Sequence, residues 1–117
     1  MGVLVIAHGS RAKQTELTLK SVVDRVREML PNEVIEIAYM EFGEVNIHAG
    51  LSKLVAMGET DIKAVPYFLF SGIHIKEDIP NEIAEFLKEN EGITVTLAQT
   101  LGDDYRLSEI LCDRIKY

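Results

Sequence analysis

Hydrophobic positions along this 117-residue chain switch four times between continuous or alternating runs and a helical spacing. Val3 to Ala7 is unbroken apolar and reads as a strand buried on both faces. Leu19, Val22, Val23, Val26 and Leu30 then recur at helical spacing until Pro31-Asn32 stops the helix. Ile35, Ile37 and Tyr39 alternate with Glu36, Ala38 and Met40, the pattern of a second strand. Asn46 is placed to cap a helix carrying Ile47, Leu51, Leu54 and Val55, with Gly58 at its end. Ile62 to Phe70 is the most apolar run, which predicts a central third strand. Asp78-Ile79-Pro80 opens a third helix, Asp78 reading as its cap, with Ile83, Phe86 and Leu87 inward. Ile93, Val95 and Leu97 alternate with Thr94 and Thr96, as in a less buried edge strand. Asp103 then caps a last helix whose inward residues are Leu107, Ile110, Leu111 and Ile115.

Four strand–helix units predict an α/β fold, a single three-layer domain over residues 1–117 with helices on both faces of a four-stranded parallel sheet. In the flavodoxin-like order 2-1-3-4, strands one and three are neighbours and the order reverses between them. Ligand crevices in open sheets form at the C-terminal edge of such a switch point. The first strand runs into His8-Gly9-Ser10-Arg11, and the third into Ser71-Gly72-Ile73-His74. The topology therefore predicts that His8 and His74 share one cleft. Glu41 and Glu44 follow strand two on the same side of the sheet.

Composition narrows the function classes. With 47% hydrophobic residues the chain is too apolar for disorder, and no run approaches membrane-spanning length. A net charge of −7 argues against nucleic acid as a partner. The chain starts directly in a strand, so no signal peptide is expected, and a single cysteine, Cys112, suits a reducing cytoplasmic location.

Neutral imidazoles bind borderline divalent metals and accept protons near neutral pH. His8 and His74 are thus candidate metal ligands and bases, with Glu41 as a third ligand or proton acceptor. His48 falls within the second helix and is expected on its surface. Ser10, Arg11, Ser71, Gly72 and Lys76 bring donors, backbone access and positive charge to the same rim, suited to carboxylates of a substrate. Asp78 has its capping role as the leading reading.

At these residues the chain resembles the short CbiX-type sirohydrochlorin chelatases, within the class II chelatases. The matching elements are His8-Gly9-Ser10-Arg11, Met40-Glu41-Phe42 with Glu44, the run Val65 to His74 leading into Asp78-Ile79-Pro80, Leu101-Gly102-Asp103-Asp104, and Asp113-Arg114. The resemblance implies a chelatase-like fold and insertion of a divalent metal, cobalt first, nickel or iron otherwise, into sirohydrochlorin, a tetrapyrrole with eight carboxylates. It implies His8 and His74 as the groups that bind the metal and remove pyrrole protons, no organic cofactor, and a homodimer. Two departures stand out: Val45 occupies a position where many relatives have proline, and no histidine-rich insertion accompanies Asn90-Glu91-Gly92. Other classes stay open from the residues alone. A metal or tetrapyrrole carrier would bind without accelerating metallation. A phosphohistidine enzyme would want arginine where Ala7 stands, and a receiver domain would want acids after strand one.

Overall fold

The computed structural model describes residues 1–117, apart from the side chain of His74. The strands are β1 (Gly2–Ala7), β2 (Val34–Tyr39), β3 (Asp61–Pro66) and β4 (Thr94–Leu97), and the helices are α1 (Lys13–Met29), α2 (Ile47–Ala56), α3 (Ile79–Glu89) and α4 (Tyr105–Lys116). A π-helical turn, His74–Asp78, runs straight into α3. The sheet is parallel in the order β2-β1-β3-β4, as the pattern predicts. β1 lies in the middle, with Val5 opposite Ile37 on one side and Val65 on the other.

One face of the sheet carries the larger core. Leu4, Ile6, Ala38, Ile62 and Ala64 from the strands meet Ile47, Leu51 and Leu54 of α2 and Ile79, Ile83 and Phe86 of α3. Gly50 lets α2 come close: a Cβ there would stand 2.6 Å from a Leu4 methyl and 3.2 Å from the Ala38 Cβ. Asn46 caps α2 as expected, its side-chain oxygen accepting from the Ala49 amide at 2.8 Å. The opposite face is thinner, with Ala7, Leu19, Val23 and Ile35 buried beneath α1.

Three expectations are corrected. β3 stops at Pro66 rather than Phe70. Pro66 has no amide to donate and its partner β1 ends one residue later, at Ala7, so the chain leaves the sheet. His74 therefore lies a loop beyond the strand and opens the π-helical turn. Asp104, not Asp103, caps α4: its backbone is extended and its carboxylate accepts the Arg106 amide at 2.9 Å. Most importantly, α4 buries no residue at all, so the predicted inward placement of Leu107, Ile110, Leu111 and Ile115 is not realised within the chain.

Candidate active site

β1 delivers His8 at the C-terminal edge of the sheet, where the chain turns sharply. Gly9 takes φ +93°, and a Cβ there would run into the Glu41 carbonyl oxygen. Only glycine tolerates both conditions. The close approach is held by the Glu41 amide donating to the His8 carbonyl at 3.0 Å and the Met40 amide to the Ala7 carbonyl at 2.9 Å. The loops after β1 and β2 are thereby stitched together, and Glu41 stands beside His8. Nε2 of His8 is 3.8 Å from Oε1 of Glu41. Nδ1 lies 3.2 Å from the Gly9 carbonyl oxygen. In the tautomer with its hydrogen on Nδ1, the ring donates there and keeps the Nε2 lone pair on the Glu41 side. Phe68, beyond the end of β3, sets its ring edge-on to His8 with centroids 6.5 Å apart.

The cleft in front of this pair holds about 410 Å³ and is lined by His8, Met40, Glu41, Asp78, Asn81, Glu82 and Glu85. The last four come from the π-helical turn and α3. Asp78 is helical in backbone and makes no capping bond, so its role as a cap is corrected to that of a cleft carboxylate. Asn81, Glu82 and Glu85 were not among the expected site residues. Their signal is present in the sequence: Asp78, Glu82 and Glu85 follow at helical spacing one position before the apolar Ile79, Ile83 and Phe86, and so flank the buried stripe. Partial burial, then the neighbouring Asp78 and Glu85 carboxylates, push the Glu82 carboxyl above its ordinary value.

That shift has a measurable consequence. A raised carboxyl disfavours the ionised native state, a penalty present above the folded pKa and absent below the unfolded value of 4.5. Glu82→Gln should stabilise the fold near pH 7 by about 0.2–0.5 kcal/mol, the size of one like-charge helical pair. Thermal unfolding at pH 7 and at pH 3 should show the gain at the first and none at the second. A gain of equal size in acid would mean that charge is not its source.

The expected substrate-binding residues do not converge on this cleft. The Ser10 hydroxyl accepts the Ala12 amide at 3.1 Å, and the Arg11 guanidinium stacks 5.0 Å above the Phe42 ring. Both line an adjoining cleft of about 530 Å³ between α1 and β2, which also carries Lys13, Lys20, Arg27 and Lys53 along with Glu16, Glu36 and Glu44. Ser71 lines a third hollow, of about 420 Å³, with residues 99–104. The Gly72 carbonyl accepts the amides of Ile75 and Lys76, both at 3.1 Å, and so starts the π-helical turn. Lys76 is exposed on that turn. The side chain of His74 lies outside the described residues, so the predicted pairing with His8 is carried by topology: β1 and β3 are neighbours, and both loops leave the same sheet edge. His48 is on the surface as expected, its Nε2 3.5 Å from a Glu89 oxygen and its ring against Phe86. Among the described residues no cluster of three or more histidine, cysteine or acidic side chains is arranged to hold a metal by itself, and no helix is long and apolar enough to cross a membrane.

The fold and the cleft define an α/β domain that presents an imidazole backed by carboxylates at the switch point of a parallel sheet. The chain belongs to the CbiX family, whose model matches residues 2–117. It is 33% identical to the chloroplastic sirohydrochlorin ferrochelatase of Arabidopsis thaliana, over 99% of this chain and 52% of that protein. It is 30% identical to the sirohydrochlorin cobaltochelatase of Sulfurisphaera tokodaii, over 98% of this chain and 91% of that one. The sirohydrochlorin chelatase SirB from Bacillus subtilis subspecies spizizenii, solved with cobalt, superposes with a TM-score of 0.91 at 29% identity, covering 98% of this chain and 49% of SirB. The chain thus spans about half the length of the plant and Bacillus proteins and most of the archaeal one.

Proposed function

We propose that residues 1–117 form one chelatase unit that inserts a divalent metal, cobalt foremost, into sirohydrochlorin during tetrapyrrole cofactor synthesis. The observation that carries this reading is the His8–Glu41 pair opening onto a cleft of carboxylates. Metallation requires a dehydrating metal ion and the loss of two pyrrole protons. The acidic cleft draws the cation in. The Nε2 lone pair of His8 serves as ligand to the incoming metal or as acceptor of a pyrrole proton, and a proton taken there lies beside the Glu41 carboxylate. His74 enters from the β3 loop as the second such group. The ring itself has two places to rest. Leu69, Phe70 and Ile73 expose apolar side chains on the β3 loop, after Phe68, whose ring meets His8 edge-on, and suit a flat macrocycle. Its peripheral carboxylates find Arg11 and Lys13 in the adjoining cleft, with Ser10 beside them, and Ser71, Gly72 and Lys76 across the β3 loop.

Cobalt is favoured because the archaeal relative covered over most of its length is a cobaltochelatase. Iron is the second reading, favoured by the higher identity to the plant ferrochelatase. Nickel also suits imidazole ligands. The functional particle is a homodimer in the cytoplasm: four strands offer a small platform for a macrocycle, and a second copy enlarges it.

The test is initial metallation of metal-free sirohydrochlorin by the pure chain, followed by visible absorption, with cobalt, nickel and ferrous iron at matched free concentration. Cobalt should be inserted at least about tenfold faster than the uncatalysed reaction and faster than the other two. A higher rate with iron or nickel transfers the assignment to that metal. Binding without acceleration for any metal makes the protein a carrier.

A further inference from the structure

Among the described residues, Phe42 alone has a left-handed backbone without being glycine: its φ is +58°. A bulky side chain takes that region only where something offsets the strain, and glycine would take it freely. Core packing does not offset it. Phe42 is 54% exposed and belongs to neither core cluster. What its ring meets is the guanidinium of Arg11, 5.0 Å from the ring centroid.

The turn at Phe42 is held from both sides. The Glu41 amide donates to the His8 carbonyl at 3.0 Å, and the Tyr39 amide donates to the Val45 carbonyl at 2.8 Å. Gly43 lies so close to the Tyr39 ring that a Cβ there would stand 2.5 Å from it. The reversal sends successive residues to different clefts. Glu41 lines the first with His8, and Phe42 lines the adjoining one with Arg11. The two loops that build the His8–Glu41 pair thus build the Arg11–Phe42 pair as well.

Arg11 is unlike the other cations of its cleft. Lys13 pairs with Glu16 at 3.3 Å, Lys20 and Arg27 share Asp24 at 2.8 and 2.7 Å, and Lys53 reaches Glu36 at 3.5 Å. Among the described residues no carboxylate is ion-paired with Arg11, although Glu44 lines the same cleft. A guanidinium that rests its face on an aromatic ring keeps the N–H donors at its edge, and these match a carboxylate in bidentate geometry. A salt-bridged lysine must first give up its partner.

We propose that Phe42 is a positioning residue for the substrate: its strained turn presents a ring that holds Arg11 with its donors free for one peripheral carboxylate of the macrocycle. The inference rests on the sirohydrochlorin reading above. It singles out Arg11 from the surrounding cations as the group ready to bind, and it gives the strain at Phe42 a use.

The test follows initial metallation rates of the full chain with saturating cobalt and varied sirohydrochlorin, beside titration of metal-free sirohydrochlorin into each variant. Circular dichroism checks that the variants fold. Phe42→Leu removes the π face and should raise both KM and Kd for sirohydrochlorin about 3-fold, the scale of an exposed cation–π contact. Phe42→Trp restores the face and should restore both constants. Arg11→Ala should raise them about 10-fold, the scale of a hydrogen bond to a charged group. In every variant kcat and the KM for cobalt should change far less. Adding Phe42→Leu to Arg11→Ala should have no further effect, because the ring acts through the guanidinium. Unchanged constants in Phe42→Leu or Arg11→Ala, or effects that multiply in the double variant, overturn the inference while leaving the chelatase reading in place. So does a loss confined to kcat, which would make the Phe42 turn a support for Glu41. A native chain that neither binds nor metallates sirohydrochlorin removes the proposed function, and the inference with it.

Discussion

His8→Ala should slow metallation of sirohydrochlorin by about 10²–10⁴-fold at limiting metal while leaving the unfolding temperature almost unchanged. The rate range is that of a positioned proton-transfer group. The stability expectation follows from exposure: the His8 side chain is 62% accessible, meets Phe68 edge-on, and belongs to neither core cluster. Exposed substitutions of this kind stay within about 0.5 kcal/mol. His74→Ala should match it in rate, since the topology brings its loop to the same sheet edge. A variant that keeps full rate with scarce metal would remove His8 from the chemistry. One that unfolds would make it a structural residue of the β1 turn. Glu41→Gln separates the two roles further. It removes the carboxylate beside Nε2 at nearly constant shape, so a lowered rate with an unchanged unfolding temperature would place that carboxylate in the chemistry, and an unchanged rate would remove it.

Gly9→Ala should be the most damaging small substitution in the chain. Two costs add. Positive φ at a non-glycine residue costs about 1–2 kcal/mol. The new methyl meets the Glu41 carbonyl, a backbone group that cannot swing aside as a side chain would. Forced backbone shifts of that kind cost about 1–3 kcal/mol. A total near 3 kcal/mol should appear in urea unfolding. The site suffers as well: the only relief is to part the two loops, and this breaks the Glu41-to-His8 backbone bond that sets the 3.8 Å spacing. Activity of the folded fraction should therefore fall too. Full specific activity with unchanged stability would show that the turn relaxes freely and does not position Glu41.

The parts of this arrangement legible in sequence are those written by local period and by glycine. The strand order follows from four alternating units, and the meeting of His8 with Glu41 follows from β1 and β2 being neighbours. The misplacements have physical causes that local pattern does not register. Tyr67 to Phe70 is as apolar as a strand, but Pro66 lacks an amide and the neighbouring strand has ended, so those side chains become a rim instead. Ser10 and Arg11 adjoin His8 in sequence, yet the Gly9 turn reverses the chain and hands them to a different cleft, where Phe42 holds the guanidinium. Asp78 looked like a cap because it precedes Ile79-Pro80, but the π-helical turn supplies helical backbone upstream and leaves no bare helix end to cap. The α4 stripe reads as apolar in the sequence, but local pattern does not register what a helix packs against, and within the chain α4 buries no residue.

The two clefts differ in sign, and that difference sets an order of events. Before metal arrives, Glu41, Asp78, Glu82 and Glu85 project negative potential from the first cleft toward any anionic ring approaching it. A divalent cation seated there cancels much of that field. The ring then meets weaker repulsion, and by thermodynamic reciprocity a ring already bound tightens the hold on the cation. Under the proposed function, cation and macrocycle are therefore cooperative ligands of one protein, with the carboxylates of α3 as the source of their coupling and the raised Glu82 carboxyl as its most proton-sensitive part.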